Sequence, residues 1–220
     1  MPTVFMMLKP CYVCGTEGRC PDIGAHSSYH GPRDLDTRPS VSQRSSIYMW
    51  VQRCQNCGYC APDIAKGDDV AREVVDSEEY QKQLNDTANS ETANSFICRS
   101  MILEKLGDFV EAGWACVYAA WVCDDSGFDK SAAKCRKQAI ELFRRAQAEK
   151  MPFAPSRGEE VILLVDLLRR SRELDEAAKL ADVELSLSDD ERVKTILTYE
   201  MDLIEEKDSV GHTESEAFEE

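Results

Sequence analysis

The chain is short of histidine, of positive charge and of long apolar runs. It has three histidines in 220 residues, and one of them, His212, sits in an acidic C-terminal stretch. General acid–base chemistry near neutral pH therefore has few actors. No Ser-His-Asp set, phosphate-cradling glycine loop or H-E-x-x-H pair is visible in the sequence. Their absence removes the sequence signatures of hydrolases, P-loop nucleotide enzymes and zinc peptidases. Lys and Arg number 26 against 41 Asp and Glu, a formal charge of −15, so most of the surface repels a polyanion. No apolar run approaches the roughly 20 residues that span a bilayer. The apolar start, Met1–Lys9, is short and lacks the charged n-region and long h-region of a secretory signal. A cytoplasmic protein is expected.

What the chain does have is cysteine, ten in all. Two pairs stand out: Cys11-Tyr-Val-Cys14-Gly15 and Cys54-Gln-Asn-Cys57-Gly58. A C-x-x-C spacing lets two thiolates converge on one ion, and the glycine that follows leaves room where the backbone folds back toward sulfur. Two such knuckles supply four thiolates, a closed tetrahedral set suited to structural zinc. Iron held by the same four ligands, as in a rubredoxin-like site, is the alternative. Zinc is preferred because no redox partner module is visible. Cys20, Cys60, His26 and His30 lie close enough in sequence to be further ligands, but the four knuckle cysteines already close the site.

The segment between the knuckles carries Asp34, Asp36 and Arg38 at alternating positions. On an extended strand these would point one way, and they are a candidate polar ligand site beside the metal module. Short strands are expected around each knuckle and over Ile47–Arg53, with Tyr48 and Trp50 covering the metal.

From residue 67 onward the composition changes. Ala, Leu, Glu, Lys and Arg dominate at helical spacing. Helices are predicted near 70–84, 91–105, 108–123, 129–149, 158–171, 174–186 and 189–205, with a capping box at Ser188–Glu191 and a close variant at Asp108–Glu111. Gly107 should end one helix. Leu103–Ala112 parallels Leu168–Ala177 at an offset of 65 residues, close to two tetratricopeptide periods of about 34. Ala112 and Ala177 should sit where helices approach closely. Trp114, Tyr118 and Trp121 form one stripe of repeat core, and Cys98, Cys116, Cys123 and Cys135 act as small buried hydrophobes. The acidic stretch 205–220 is expected to be disordered.

The fold class is thus α+β, mostly α. A zinc-ribbon-like module (1–66) precedes a tetratricopeptide-like antiparallel helical array (67–204). Charge divides the same way: 1–66 holds seven Lys/Arg and five Asp/Glu, and 67–220 holds nineteen and thirty-six.

A C-x-x-C-G knuckle, a D-x-D/R-P segment, a W-V-x-x-C-x-x-C-G-Y knuckle and then tetratricopeptide-like helices resemble the prokaryotic domain-of-unknown-function family numbered 2225. The resemblance covers about residues 8–200. It rests on Cys11, Cys14, Asp34, Asp36, Arg38, Pro39, Trp50, Val51, Cys54, Cys57, Gly58 and Tyr59. Tyr12 and Gln55 stand where proline is common in that family. The resemblance implies a metal-binding module on a helical scaffold and brings no established activity.

Together these features predict a non-enzymatic metal-binding scaffold or adaptor. Its acidic helical array would take a protein or a basic peptide. The two alternatives are a rubredoxin-like electron carrier and a nucleic-acid-binding ribbon using Arg19, Arg33, Arg38, Arg44 and Arg53.

Overall fold

The computed structural model describes residues 3–25 and 31–219, so His26 and His30 fall outside the described residues. Strand β1 (Thr3–Pro10) pairs antiparallel with β2 (Glu17–Ala25), and the first knuckle forms the connection between them. A second, shorter hairpin pairs β3 (Gln52–Arg53) with β4 (Cys60–Ala61) around the second knuckle. The segment between the hairpins contains a single helical turn, α1 (Val41–Arg44), and a 3-10 turn over Ile47–Met49. The strand expected over Ile47–Arg53 therefore reduces to its last two residues.

Eight helices follow among the described residues: α2 (Asp69–Val75), α3 (Glu78–Leu84), α4 (Glu91–Lys105), α5 (Phe109–Asp125), α6 (Asp129–Ala148), α7 (Arg157–Arg170), α8 (Leu174–Leu187) and α9 (Glu191–Glu205). Successive helices from α4 to α9 pack on one another as an antiparallel array. The one helix predicted over 70–84 is split, because the Ser77 side chain accepts from Tyr80 N–H and starts a new helix. Asp108 caps α5 as expected, but α9 is capped by Asp190 rather than Ser188; its carboxylate accepts from the Arg192 and Val193 amides.

The helix ends explain the regular spacing. Five helices stop at a residue of left-handed conformation: Gly107, Gly127, Lys150, Arg172 and Lys207. In each case the next amide bonds back five residues, as Asp108 N–H does to Leu103 O (3.0 Å) and Glu173 N–H to Leu168 O (2.9 Å). This is the Schellman closure. Gly107 and Arg172 occupy equivalent positions in the sequence repeat, so the repeat corresponds to a shared helix–turn–helix geometry. Ala112 and Ala177, just beyond those turns, are fully buried. Ser100 Oγ donates to Ala112 O at 2.9 Å, which shows how closely α4 and α5 approach there.

For a non-glycine residue the left-handed region costs about 1–2 kcal/mol. Lys150→Gly should therefore stabilise the protein by about 0.5–1 kcal/mol after glycine's own entropy is counted. That corresponds to a rise of about 1–4 °C in thermal midpoint. An unchanged or lowered midpoint in calorimetry would contradict this reading of the turn.

Packing divides differently from composition. One buried cluster joins the knuckle region (Cys11, Tyr59, Ile64) to α2, α3 and α4 through Tyr80, Leu84 and Phe96. The other holds the α5–α9 array together and includes Leu35 from between the knuckles. Residue 66 thus marks where helices begin, while the segment around Leu35 packs with the helical body.

The acidic stretch after α9 is folded rather than disordered. Residues Glu214–Phe218 form a 3-10 turn with Ala217 buried. Leu35 N–H donates to His212 O (2.9 Å) and Glu214 N–H to Arg33 O (2.8 Å). Arg169 of α7 donates to the carbonyls of Asp208 (3.0 Å) and Val210 (2.9 Å). The tail is held chiefly by polar contacts from remote parts of the chain, with Ala217 joining the apolar core.

Candidate metal centre

Each knuckle is the same local device. Gly15 N–H bonds to Cys11 O (2.8 Å) and Gly58 N–H to Cys54 O (2.9 Å). Cys11 N–H returns to Thr16 O (3.0 Å) and Cys54 N–H to Tyr59 O (2.8 Å). Both glycines have positive φ, +73° and +79°. Gly58 is also required for space, since a Cβ there would lie 2.1 Å from Leu84 Cδ2. The Val13 and Cys14 amides lie against the Cys11 sulfur, and the Tyr59 amide lies against that of Cys57.

The two knuckles face each other. Cys11 Sγ and Cys57 Sγ are 3.7 Å apart, and Cys14 Sγ and Cys54 Sγ are 3.6 Å apart. All four sulfurs lie within 4.8 Å of one another. A tetrahedron with Zn–S bonds of about 2.3 Å has S···S edges of about 3.8 Å. A disulfide would need about 2.05 Å. The donor set therefore fits one tetrahedral metal ion and not two covalent bridges.

The electrostatics agree with that fit. Burial raises the Cys11 thiol, and burial together with the neighbouring cysteine sulfurs drives the Cys57 thiol far up. At Cys14, slight burial is outweighed by hydrogen bonds from Thr16 and Asn56, which bring it down to about 6. Four thiols this close cannot all ionise beside one another without a cation. A bound dication reverses that balance and holds every sulfur as thiolate. With four protein sulfurs, the coordination sphere is complete and leaves no open position for a substrate.

Among the described residues, Cys20 and Cys60 are not part of this cluster. Cys20 is buried on β2. Cys60 turns inward, its Sγ donating to Gly58 O at 3.2 Å beneath Tyr80. Tyr80 OH donates to the same Gly58 carbonyl at 2.9 Å, tying α3 to the second knuckle. Tyr48 is exposed, and Trp50 packs edge-on against Tyr118 of α5 at 5.2 Å. The tryptophan expected to cover the metal thus covers a helix instead. The four helical cysteines are buried as expected.

Asp34, Asp36 and Arg38 do come together, but against the helical body instead of the metal. The segment is a tight turn and not an extended strand. Thr37 has φ +67°, and Thr37 N–H bonds to Asp34 O at 2.8 Å. Asp36 is fully buried and accepts from Trp121 Nε1 (2.7 Å), Arg170 Nη1 (2.8 Å) and the Arg38 amide (3.1 Å). Arg38 pairs with Asp125 and Arg44 with Asp34, both at 2.5 Å. Arg170 also reaches Asp124, which Arg136 holds from α6. Asp34 and Arg38 line a cleft of about 480 Å3, and Asp36 pairs with Arg170 of its lining without lining it itself. Arginines and aspartates alternate around it, so it carries no strong field of one sign. Nothing in the sequence singles out Asp124, Arg136 or Arg170, and Arg44 stands out there only as one of the arginines of a nucleic-acid-binding ribbon. Each looks like an ordinary charged residue in isolation, and the Arg169-Arg170 pair at the end of α7 looks like a solvated helix terminus.

A second cleft, of about 350 Å3, lies between the 33–37 turn and helices α5 and α7. Its floor is apolar, with Trp114, Phe153 and Ile162, and its rim carries Arg33, Glu159, Arg192 and Glu214. Arg192 bridges the two glutamates at 3.5 and 3.0 Å.

Among the described residues, no helix is long and apolar enough to cross a membrane. In comparisons with known proteins, no family model, no curated protein and no solved structure matches this chain. The architecture itself, a four-cysteine cluster followed by a helical array, is the one that the resemblance to family 2225 implies.

Proposed function

We propose that this protein is a non-enzymatic adaptor of the family numbered 2225, in which structural zinc shapes the N-terminal module and the helical array receives a protein or basic peptide. The observation that carries the first part is the closed set of four thiolates, which leaves a bound ion no position for chemistry. The second part is supported by the apolar-floored cleft on the array, whose charged lining is Glu159 and Glu214 beside Arg33 and Arg192. A peptide with one apolar anchor and a neighbouring Lys or Arg would fill the floor and displace Arg192 from Glu159 and Glu214. The ten unpaired cysteines support a reducing, cytoplasmic setting. The nucleic-acid reading loses three of its five arginines to internal partners: Arg38 to Asp125, Arg44 to Asp34 and Arg53 to Leu84 O.

The test uses the full chain, because residues 67–220 alone would lose Leu35 and Asp36 from the helical core. A panel of peptides carrying Leu or Phe beside Lys or Arg is titrated while tryptophan fluorescence is followed. Binding should weaken as salt rises past the point where the Debye length falls below about 10 Å. Glu159→Lys should reduce affinity about tenfold or more. Binding that ignores both salt and Glu159→Lys would remove the array as the receptor.

A further inference from the structure

A run of exposed apolar residues among the described residues belongs to neither cleft. Val4, Phe5, Met6, Met7 and Leu8 are consecutive residues of β1, and each is between 40% and 61% exposed. Alternation puts Val4, Met6 and Leu8 on one face and Phe5 and Met7 on the other. Apart from β2, no element packs substantially on β1 among the described residues. An isolated two-stranded hairpin is marginally stable in water, and a third strand or a covered face is normally needed.

The two edges of this hairpin differ. Pro21 of β2 faces Met6, and its carbonyl accepts from Gln52 Nε2 at 3.1 Å, so it is directed away from β1. Proline has no amide to give, so the Met6–Pro21 pair is not one of the hydrogen-bonded pairs of this ladder. The backbone groups of Val4, Met6 and Leu8 then point to the outer edge of β1. That edge carries no proline and no charge from Val4 to Leu8, whereas sheet edges that stay single are usually guarded by such residues. On β2, Pro21 and Arg19 supply that guard.

We propose that β1 pairs antiparallel with β1 of a second copy of this chain, about a two-fold axis at Met6, to give a four-stranded sheet in the order β2-β1-β1-β2. Three observations select a second copy as the occupant. First, the pairing is self-complementary: Met6 meets Met6, Val4 meets Leu8 and Phe5 meets Met7, so every cross-strand pair is apolar. Lys9 falls opposite Thr3 and is already held by Asp63 at 3.3 Å. Second, these five residues are each between 40% and 61% exposed, and the pairing supplies the further strands that a two-stranded hairpin lacks. Third, residues 1–66 carry a balance of two positive charges. Joining the copies there keeps the strongly acidic helical bodies apart.

The experiment is sedimentation velocity on the full, metal-loaded chain over a concentration series in the micromolar range, where a dimer should accumulate as concentration rises. Met6→Lys places two ammonium groups at the two-fold axis and should weaken the dimer at least tenfold, with metal content unchanged. Met6→Cys provides the second reading. Hydrogen-bonded antiparallel partners have Cα atoms about 5.5 Å apart, within disulfide reach. Mild oxidation should therefore cross-link Met6→Cys into a covalent dimer, above any background from the wild-type chain. A chain that stays monomeric throughout the series overturns the proposal. So does a dimer that neither variant affects, because its interface must then lie elsewhere.

Discussion

Cys11→Ser or Cys57→Ser unfolds the N-terminal module and leaves the α5–α9 array standing. The two knuckles converge at the four sulfurs. The contacts beside them are single hydrogen bonds, such as Tyr12 N–H to Ile64 O (2.8 Å) and Gln52 Nε2 to Pro21 O (3.1 Å), with a small apolar cluster. Structural zinc contributes on the order of 10 kcal/mol of apparent binding energy in small modules. No hydrogen bond of about 1 kcal/mol compensates for its loss. The effect should spread to α2 and α3, which are seven residues each and pack against the second knuckle through Tyr80 and Leu84. Isolated helices of that length are not stable in water. Limited proteolysis with mass spectrometry should find new cleavages before residue 90, while far-ultraviolet circular dichroism keeps most of its helical signal. Chelation of the wild-type protein should reproduce the pattern. Protection of residues 3–66 in both serine variants would contradict the metal's structural role.

Arg169→Met is the second large expected loss, about 3–5 kcal/mol, typical of breaking a buried ion pair on one side. Arg169 is fully buried and joins three parts of the chain. It meets Glu200 of α9 at 2.6 Å and Asp166 of its own helix at 2.8 Å, as well as the two tail carbonyls. Burial, and then the Asp166 charge, push Glu200 up to about 8 despite Arg169. Burial likewise raises Asp166. A carboxyl whose folded pKa is raised takes up a proton more readily in the native state than in the unfolded one. Its contribution is therefore present at low pH and is lost as pH rises from the ordinary value of 4.5 through about 8. Removing the arginine raises both carboxyls further, so the penalty should be greater at about pH 8 than at about pH 5. Urea titrations at the two pH values measure this. Glu200→Gln added to Arg169→Met should recover part of the loss. Equal stability of Arg169→Met and wild type at both pH values would remove Arg169 as the hub of the tail.

The legible part of this fold is whatever short-range chemistry writes. C-x-x-C-G fixes a knuckle within five residues, and glycine at position 107 ends a helix by its own backbone freedom. From residue 91 onward the helix spans follow from periodicity, whereas the break at Ser77 that splits 70–84 does not, and the four thiolate ligands follow from cysteine spacing alone. Long-range pairing is what the sequence hides. Asp36 looks like a loop carboxylate until Trp121 and Arg170, far along the chain, close around it. The same holds for the tail. Its acidic composition suggests a solvated segment, but a single buried guanidinium holds its backbone carbonyls. Alternation would align Asp34, Asp36 and Arg38 only on an extended strand, and the left-handed Thr37 bends that segment into a turn. Trp50 lies close to the second knuckle in sequence but turns toward Tyr118, because the segment carrying it packs on α5.

That four thiolates hold one structural metal ion is tested most directly by native mass spectrometry of the full chain, purified without added metal or chelator. The expected result is a mass one zinc above the polypeptide, returning to the bare polypeptide in Cys11→Ser, and a colourless sample. A bare polypeptide mass in the wild type, or the same bound metal in Cys11→Ser, would contradict it; a coloured, iron-bearing protein would overturn the assignment of zinc.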